Sequence, residues 1–210
     1  MSEGQQRPEP FIAGPNLSYR LIRLSVLSYL KLFNRLGWTG REHVPPSGGL
    51  LVVSNHNSFL DIPAIAAALP RHGSFVARQS LARSRFLGWV LRVTGAVLLK
   101  RGAADRAALR EMGDHLEAED AVVIFPEGTR SQDGKLGEFR GGALFIAKRA
   151  GVPVLPVGIE GSFEAWPRHA KRPGRGRIRV HFGPPIDPRA EGAEELLRAE
   201  IIRLSTGEGC

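Results

Sequence analysis

The chain has 210 residues, 42% of them hydrophobic and 24% charged, which is enough for one substantial core and too little for two. Its formal charge of +8 favours an anionic partner, either nucleic acid, phospholipid headgroups, a phosphorylated substrate or an acidic carrier protein. The only cysteine, Cys210, excludes a disulfide framework and a thiolate metal cluster, and this fits a reducing cytosol.

The N-terminal part of the chain is predicted to stand apart from the core. Residues 1–16 are polar and rich in proline and glycine, without the pattern of a secretory signal, and we expect a flexible tail. Residues 17–38 have apolar side chains at helical spacing, but four basic residues interrupt them too often for a membrane span. Such an amphipathic helix suits a membrane interface, and packing on the protein's own core fits the pattern equally well.

Residues 39–210 alternate between strand and helix patterns. The predicted strands are 50–54, 75–77, 96–99, 121–125, 154–159 and 177–182, the last one half-exposed. The predicted helices are 62–69, 81–94, 105–117, 143–150 and 193–204. This order predicts an α/β fold, a single domain with a mixed, largely parallel sheet covered by helices. In such sheets, ligands bind at the carboxyl ends of the strands.

A histidine and an aspartate follow the first predicted strand. Because Pro63 is tolerated only in the first turn of a helix, that helix is predicted to begin near Asp61, with His56 in the preceding loop. There the imidazole can fold back onto the carboxylate, which would fix its tautomer and leave the other nitrogen to take a proton from a hydroxyl or water. The pair is a candidate general base with its orienting partner.

Other interpretations of these residues stay open. Asp61 also fits a helix cap, because Ser58 and Asp61 have the spacing of a capping box. A serine hydrolase is disfavoured, since the sequence has no Gly-x-Ser-x-Gly elbow to present a nucleophile. The remaining histidines are predicted to be structural: His43, His72, His115, His169 and His181.

A second polar motif follows the predicted strand at 121–125. Pro126 and Gly128 predict an irregular turn that exposes its polar side chains at the end of the strand. Those side chains are Glu127, Thr129, Arg130 and Ser131. The hydroxyl and guanidinium groups, with backbone N–H groups, would make a phosphate cradle, and the carboxylate would accept a hydroxyl hydrogen bond. A solvated turn with an internal Glu–Arg pair is the alternative.

Two further cations, Lys100 and Arg101, follow the strand predicted at 96–99 and would complete a phosphate site. The sequence contains neither of the glycine-rich motifs that bind nucleotides, Gly-x-x-x-x-Gly-Lys-Ser/Thr and Gly-x-Gly-x-x-Gly. The histidines lack the spacing of metal ligands and have no partner cysteines. We therefore expect no metal and no tightly bound cofactor.

Taken in order, these motifs resemble the four sequence blocks of the glycerolipid acyltransferase family, typified by bacterial 1-acyl-glycerol-3-phosphate acyltransferases. The corresponding segments are His56-x-x-x-x-Asp61, 95–101, 125–131 and 152–157. Residues 183–186, Gly-Pro-Pro-Ile, also resemble the family's C-terminal pattern. The departures are Leu98 and Leu99 for the usual Phe-Ile pair, Arg78 where lysine is common, and Arg140 after Phe139 where lysine is usual.

The resemblance implies that His56 is the general base and Asp61 its partner. It also implies a substrate-binding set, to which the cradle argument adds the last member: Arg101, Glu127, Gly128, Thr129, Arg130 and Ser131. The implied reaction moves a fatty acyl group from acyl-CoA or acyl carrier protein to the free hydroxyl of a lysophospholipid, above all 1-acyl-glycerol-3-phosphate, giving phosphatidic acid. Residues 39–210 would be the catalytic domain of a peripheral or monotopic protein at the cytoplasmic face of the membrane.

Several alternatives remain open at this point. The same site would serve another lyso-lipid acceptor or, with water as the acceptor, a thioesterase. A basic nucleic-acid-binding protein that uses the stretch 168–179 would leave His56, Asp61 and Glu127 without roles. That basic stretch would equally dock an anionic bilayer or an acidic carrier protein, or remain solvated.

Overall fold

The computed structural model describes residues 17–99, 106–139 and 142–207. In chain order the elements are α1 (Leu17–Asn34), β1 (Gly37–Thr39), β2 (Leu50–Ser54), α2 (Asp61–Ala68), β3 (Gly73–Arg78), α3 (Arg85–Val93), β4 (Val97–Leu99), α4 (Arg106–Glu117), β5 (Ala121–Ile124), α5 (Ala143–Ala150), β6 (Val154–Glu160), α6 (Ser162–Ala165), β7 (Arg179–Phe182) and α7 (Ala193–Ser205). Short 3₁₀-helices lie at Arg41–His43 and Gln79–Arg83. The predicted tail at 1–16 and the pair Lys100 and Arg101 fall outside the described residues.

The strands form one sheet in the order β1-β7-β6-β2-β5-β3-β4. Neighbouring strands are parallel except β6 and β7, which pair antiparallel. The central strands β2 and β5 are buried along their whole length, as expected for continuous aliphatic runs in a parallel sheet that is covered on both faces. The predicted α/β fold with a mixed, largely parallel sheet is confirmed.

Helices cover both faces of this sheet, and the alternation of the strand side chains divides the core in two. On one face, Leu30 of α1 and Ile65 of α2 pack with Leu50 and Val52 of β2. On the opposite face, the neighbouring residues Leu51 and Val53 pack with α4, α5 and α7, through Met112, Ile146 and Leu197. The carboxyl ends of β2, β5 and β3 consequently emerge side by side at one edge.

Two predicted helices end or break earlier than expected. The helix predicted at 81–94 is divided at Ser84, where the backbone is extended. The side-chain oxygen of Ser84 caps α3 by accepting the Leu87 N–H. The helix predicted at 17–38 ends at Asn34, and Trp38 instead lies in β1, which pairs with β7. A strand of three residues has no periodicity that distinguishes it from the end of a helix.

The strand predicted to be half-exposed at 177–182 is shorter and buried. It starts at Arg179, and Val180, His181 and Phe182 are all buried between β1 and β6. His181 is accommodated there because its Nδ1 lies 2.8 Å from the Thr39 hydroxyl. The prediction of a half-exposed strand was wrong, and the prediction that His181 is structural fits its burial.

Helix α1 packs on α2 with one side and exposes the other. Leu30 is fully buried, and Arg23 donates a hydrogen bond of 2.6 Å to the carbonyl oxygen of Leu69 after α2. Leu21, Leu24 and Leu32 form an exposed apolar stripe. Among the helices in the described ranges, none combines the length and the hydropathy needed to cross a bilayer. The packing role of α1 is therefore seen, and its interfacial role stays a prediction.

Candidate active site

His56 lies in the loop between β2 and α2, at the carboxyl edge of the sheet, and α2 begins at Asp61 as predicted. Its Nδ1 is 2.9 Å from Oδ2 of Asp61. The imidazole ring also stacks on Phe125, with ring centroids 4.1 Å apart and planes inclined by 20°. These two contacts fix the ring, so that Nε2 is the nitrogen that can accept a proton from a hydroxyl or water.

Asp61 holds the loop as well as the imidazole. It is fully buried, and its Oδ2 also accepts the backbone N–H groups of Asn57 and Ser58, each at 2.7 Å. The Ser58 hydroxyl in return accepts the N–H of Leu60 at 3.1 Å. Only one half of a capping box is formed, because the Ser58 hydroxyl accepts from Leu60 and not from Asp61, and α2 begins after Leu60 without a side-chain cap. Asp61 is therefore the partner of the imidazole and the acceptor that holds the loop.

Glu127 positions His56 from the neighbouring strand. Its Oε1 accepts the backbone N–H of His56 at 2.8 Å, and its Oε2 accepts that of Gly137 at 2.9 Å. The N–H of Ser131 completes the link by donating to the carbonyl oxygen of His56 at 2.7 Å. Burial raises the pKa of Glu127, and the two backbone hydrogen bonds oppose that change. A direct contact of Glu127 with substrate stays a prediction.

The guanidinium group of Arg130 lies at this edge of the sheet. Its guanidinium lies over the ring of Phe59, 3.4 Å from the centroid. Its Nη1 is buried and has no hydrogen-bond partner within the described part of the chain. Burial, followed by repulsion from the nearby Arg168 guanidinium, lowers the pKa of Arg130. An unpartnered buried donor on a fixed guanidinium is the feature expected where an anionic oxygen binds.

Two more arginines meet the same turn, and sequence reasoning gave neither of them a role at the site. Arg78, at the end of β3, donates to the carbonyl oxygen of Gly128 at 3.0 Å. Arg168 donates to the hydroxyl of Thr129 at 3.3 Å. In the sequence, Arg78 appears only as a departure from a family pattern, and Arg168 only as part of a basic stretch. Three guanidinium groups around one turn form a strongly positive site suited to a phosphate.

The turn is shaped by the backbone of Gly128 and by hydrogen bonds of the Ser131 hydroxyl. Gly128 has φ of +65°, in the left-handed region that favours glycine. The Ser131 hydroxyl donates to Oδ1 of Asp133 at 3.0 Å and accepts the N–H of Gly134 at 3.0 Å. Ser131 therefore closes the following loop, and its predicted contact with substrate stays a prediction. The structure brings together all the predicted site residues except Arg101, which lies outside the described residues.

Two residues anchor the loop of His56, and the sequence patterns predict this role for neither of them. Asn55 is buried and donates from Nδ2 to the carbonyl oxygen of Ile159 at 2.9 Å, while its Oδ1 accepts the Ile159 N–H at 2.8 Å. Further along the loop, the Ser58 hydroxyl donates to the carbonyl oxygen of Trp166 at 2.8 Å. A polar amide directly after an apolar strand was the available signal, but its partner is 104 residues away.

The assembled groups have a definite chemical capacity. His56 can remove a proton from a bound molecule, and Asp61 can stabilise the resulting imidazolium. The cations near Arg130 can bind an anionic group of that same molecule. Within the described ranges, no group of three or more His, Cys, Asp or Glu side chains could hold a metal ion.

Several known proteins are similar to this chain. The family model described as Acyltransferase matches residues 35–160. A 1-acyl-sn-glycerol-3-phosphate acyltransferase of Chlamydomonas reinhardtii is 35% identical over 177 residues, which cover 80% of this chain and 52% of that protein. The corresponding alpha enzyme of Ovis aries is 30% identical over 180 residues, covering 83% of this chain and 63% of that protein. The chain thus spans between about half and two thirds of the length of these relatives.

A solved structure shares the fold over nearly the whole chain. The 1-acyl-sn-glycerophosphate (LPA) acyltransferase PlsC of Thermotoga maritima matches with a TM-score of 0.71 and 31% identity, covering 94% of this chain and 84% of that chain. The segment matched by the family model contains His56, Asp61 and the turn at Glu127. The resemblance drawn from the sequence motifs is confirmed, and the chain belongs to the Acyltransferase family.

Proposed function

We propose that this protein transfers a fatty acyl group from an acyl thioester to the free hydroxyl of 1-acyl-glycerol-3-phosphate, giving phosphatidic acid. One observation carries the proposal: the His56–Asp61 pair and the three arginines around the 127–130 turn lie at the same edge of the sheet. A proton acceptor beside an anion site matches an acceptor that carries both a hydroxyl and a phosphate. The names of the relatives point to the same reaction.

In the proposed step, Nε2 of His56 takes the proton of the acceptor hydroxyl as its oxygen attacks the thioester carbonyl carbon. The new C–O bond forms, the C–S bond breaks, and the proton on His56 passes to the departing thiolate sulfur. Asp61 stabilises the intervening imidazolium, and nearby backbone N–H groups stabilise the oxyanion. A positioned general base of this kind contributes about 10²- to 10⁴-fold to the rate.

The phosphate of the acceptor would bind between Arg130, Arg78 and Arg168. The Arg130 guanidinium is already oriented by its stacking on Phe59, so little side-chain entropy is lost when the phosphate binds. Thr129 would add a hydroxyl from the same turn. A monoester phosphate, with about two negative charges, would be favoured there over a singly charged phosphodiester.

The acyl donor would be acyl-CoA or acyl carrier protein, and no tightly bound cofactor is needed for the transfer. Both donors are acidic and fit the formal charge of +8. The protein would act as a peripheral or monotopic enzyme at the cytoplasmic face of a membrane. The exposed leucine stripe of α1 would lie in the lipid interface.

The test compares wild type and His56→Ala in the transfer of a long-chain acyl group from acyl-CoA to lysophosphatidic acid, with thermal melts confirming that both are folded. We expect phosphatidic acid from the wild type and a loss of at least about 10²-fold in the variant. Thioester hydrolysis without acyl transfer would support the thioesterase alternative, and acylation of other lyso-lipids alone would change the acceptor. Inactivity towards all thioesters, with tight salt-dependent nucleic-acid binding, would overturn the proposal.

A further inference from the structure

The segment from Gln79 to Val93, the α3 hairpin, consists of a 3₁₀-helix and α3 and is apolar without belonging to the core. Within the described residues, none of its side chains is buried and none joins either core cluster. Phe86 is 70% exposed, Leu87 41% and Trp89 43%. A helix that connects two parallel strands normally buries its apolar side against the sheet, so these exposed side chains require another partner.

The charges around the α3 hairpin identify the kind of partner. Arg83, Arg85 and Arg92 are all exposed on it. The sequence has no aspartate or glutamate between residues 78 and 104. Bulky apolar side chains flanked by arginines, without acidic residues, are typical of helices that lie in the interface of an anionic bilayer. An acidic soluble protein would match the charges but would leave Phe86 and Leu87 without an apolar environment.

The position of the α3 hairpin connects it to the reaction. It follows β3 directly, and Arg78 at its base donates to the carbonyl oxygen of Gly128 in the site turn. The hairpin therefore leaves the sheet at the same edge as His56. It is also compact, because a Cβ on Gly88 would lie only 2.7 Å from the carbonyl oxygen of Ala82, so the two helices pack backbone to backbone.

We propose that the α3 hairpin inserts into the surface of an anionic lipid bilayer. Phe86, Leu87 and Trp89 enter the acyl region, and the three arginines lie at the lipid phosphates. This assignment rests on the proposed function in one respect, since a lipid acceptor would then reach the site edge without leaving the membrane. It is separate from the interfacial role expected of α1, because the hairpin is the apolar surface attached to the site turn.

The test uses the full chain and vesicles of phosphatidylcholine with phosphatidylglycerol, without substrate. We compare flotation of wild type with a variant carrying Phe86→Ser, Leu87→Ser and Trp89→Ser, and with one carrying Arg83→Gln, Arg85→Gln and Arg92→Gln. The matched control is Phe145→Ser, which removes an exposed phenylalanine from α5. We expect each hairpin variant to bind at least about tenfold more weakly, and the control to bind as wild type does.

A local probe separates insertion from a general loss of structure. A nitrobenzoxadiazole label at Phe86→Cys, in a Cys210→Ser background, should shift to the blue on vesicles, whereas the same label at Phe145→Cys should not. Unchanged flotation of both hairpin variants, or an unshifted label at position 86, overturns the proposal. So does a hairpin variant that only dissociates an oligomer in solution, because the partner would then be a second copy of the chain.

Failure of this inference can be told from failure of the proposed function. Vesicle binding through the hairpin without any phosphatidic acid formation would sink the proposed function alone. Acyl transfer to a micellar acceptor by hairpin variants that bind vesicles as well as wild type would sink the inference alone.

Discussion

The carboxylate of Glu127 accepts a hydrogen bond from the backbone N–H of His56, although 71 positions separate the two residues in the chain. Its second oxygen takes the N–H of Gly137, so one buried side chain joins three segments at the site. The location of the candidate base therefore depends on an acid that works through the backbone. Such support is what holds a reactive group within the narrow range of productive positions.

Replacing Glu127 with glutamine should both destabilise the protein and slow the reaction. Glutamine has one acceptor oxygen, so one of the two backbone N–H groups would face an amide NH₂ group. The loss of that hydrogen bond should lower the free energy of unfolding by about 1–3 kcal/mol. Urea denaturation of Glu127→Gln at pH 7 measures this cost. The exposed neighbour Glu138 provides the control, because Glu138→Gln should leave the free energy of unfolding unchanged.

The same variant should show a defined pH dependence. Because burial raises the pKa of Glu127, its favourable contribution to folding is complete below the ordinary glutamate pKa of about 4.3 and is lost as the pH rises through the folded pKa. The stability gap between wild type and Glu127→Gln should narrow from pH 4 to pH 7. A gap that widens over this range would contradict the assignment.

Two substitutions at Asp61 should separate its roles. Asp61→Ala leaves the N–H groups of Asn57 and Ser58 buried without an acceptor and should cost about 2–4 kcal/mol of folding free energy. Asp61→Asn keeps an oxygen for them but removes the charge that stabilises the imidazolium, so kcat should fall by about 10²- to 10⁴-fold with a smaller stability loss. Equal destabilisation by both variants would refute this separation.

Asn55 should tolerate neither alanine nor aspartate. Asn55→Ala leaves the N–H and the carbonyl oxygen of Ile159 without partners and should cost about 2–4 kcal/mol. Asn55→Asp has the same shape but places a carboxylate oxygen against that carbonyl oxygen, so at pH 7 it should be at least as unstable. Thermal melts of the two variants provide the comparison, and a wild-type melting temperature for Asn55→Asp would exclude the proposed pairing.

If the proposed function holds, Arg130→Lys should weaken acceptor binding more than folding. Lysine cannot keep the planar contact with Phe59 or offer two donors to a phosphate, so KM for lysophosphatidic acid should rise by about tenfold or more. Initial rates at varied acceptor concentration measure this change. Arg149→Lys, at an exposed position in α5, is the control and should not alter KM.

His115 should make stability fall as the solution becomes alkaline. Its Nδ1 lies 2.8 Å from Oδ2 of Asp120, and this hydrogen bond is the main cause of a raised pKa of His115. The contribution is complete below the ordinary histidine pKa of about 6.5 and is lost as the pH rises through the folded value. Because the pair is partly exposed, we expect less than about 1 kcal/mol.

The measurement for His115 is the urea midpoint of wild type and His115→Gln from pH 6 to pH 9. The advantage of the wild type should decline over this range. An NMR titration of Asp120→Asn should show a lower pKa of His115 than in the wild type, and an unchanged value would contradict the role of this hydrogen bond.

Elements whose structure is set by residues close together in the sequence were predicted well, and elements that depend on distant partners were not. The runs that became β2 and β5 are continuous and aliphatic between turn residues, and their bounds were predicted to within one residue. The short elements β1 and α6 have three and four residues, too few to show a period. The prediction that β7 is half-exposed was wrong because the partner of the buried His181 is a threonine 142 residues away.

The same distinction applies to the site. The contact of His56 with Asp61 spans five residues and follows from the helix start that Pro63 requires, so sequence alone was sufficient. The hydrogen bonds of Glu127 to His56 and of Asn55 to Ile159 depend on which strands are neighbours in the sheet. Local patterns contain no information on that order, so the supporting residues emerged only from the fold.

The pairing of β2 with β5 places Val53 opposite Ile124, and each functional residue follows three positions later. A slip of one residue would move one loop by about 3.3 Å and turn every side chain of the strand to the other face. Such a chain would keep its helices and strands and give a normal circular dichroism spectrum, yet His56 would lose its support from Glu127. Recovered activity after refolding would therefore count the molecules with correct strand alignment, which spectroscopy of secondary structure cannot do.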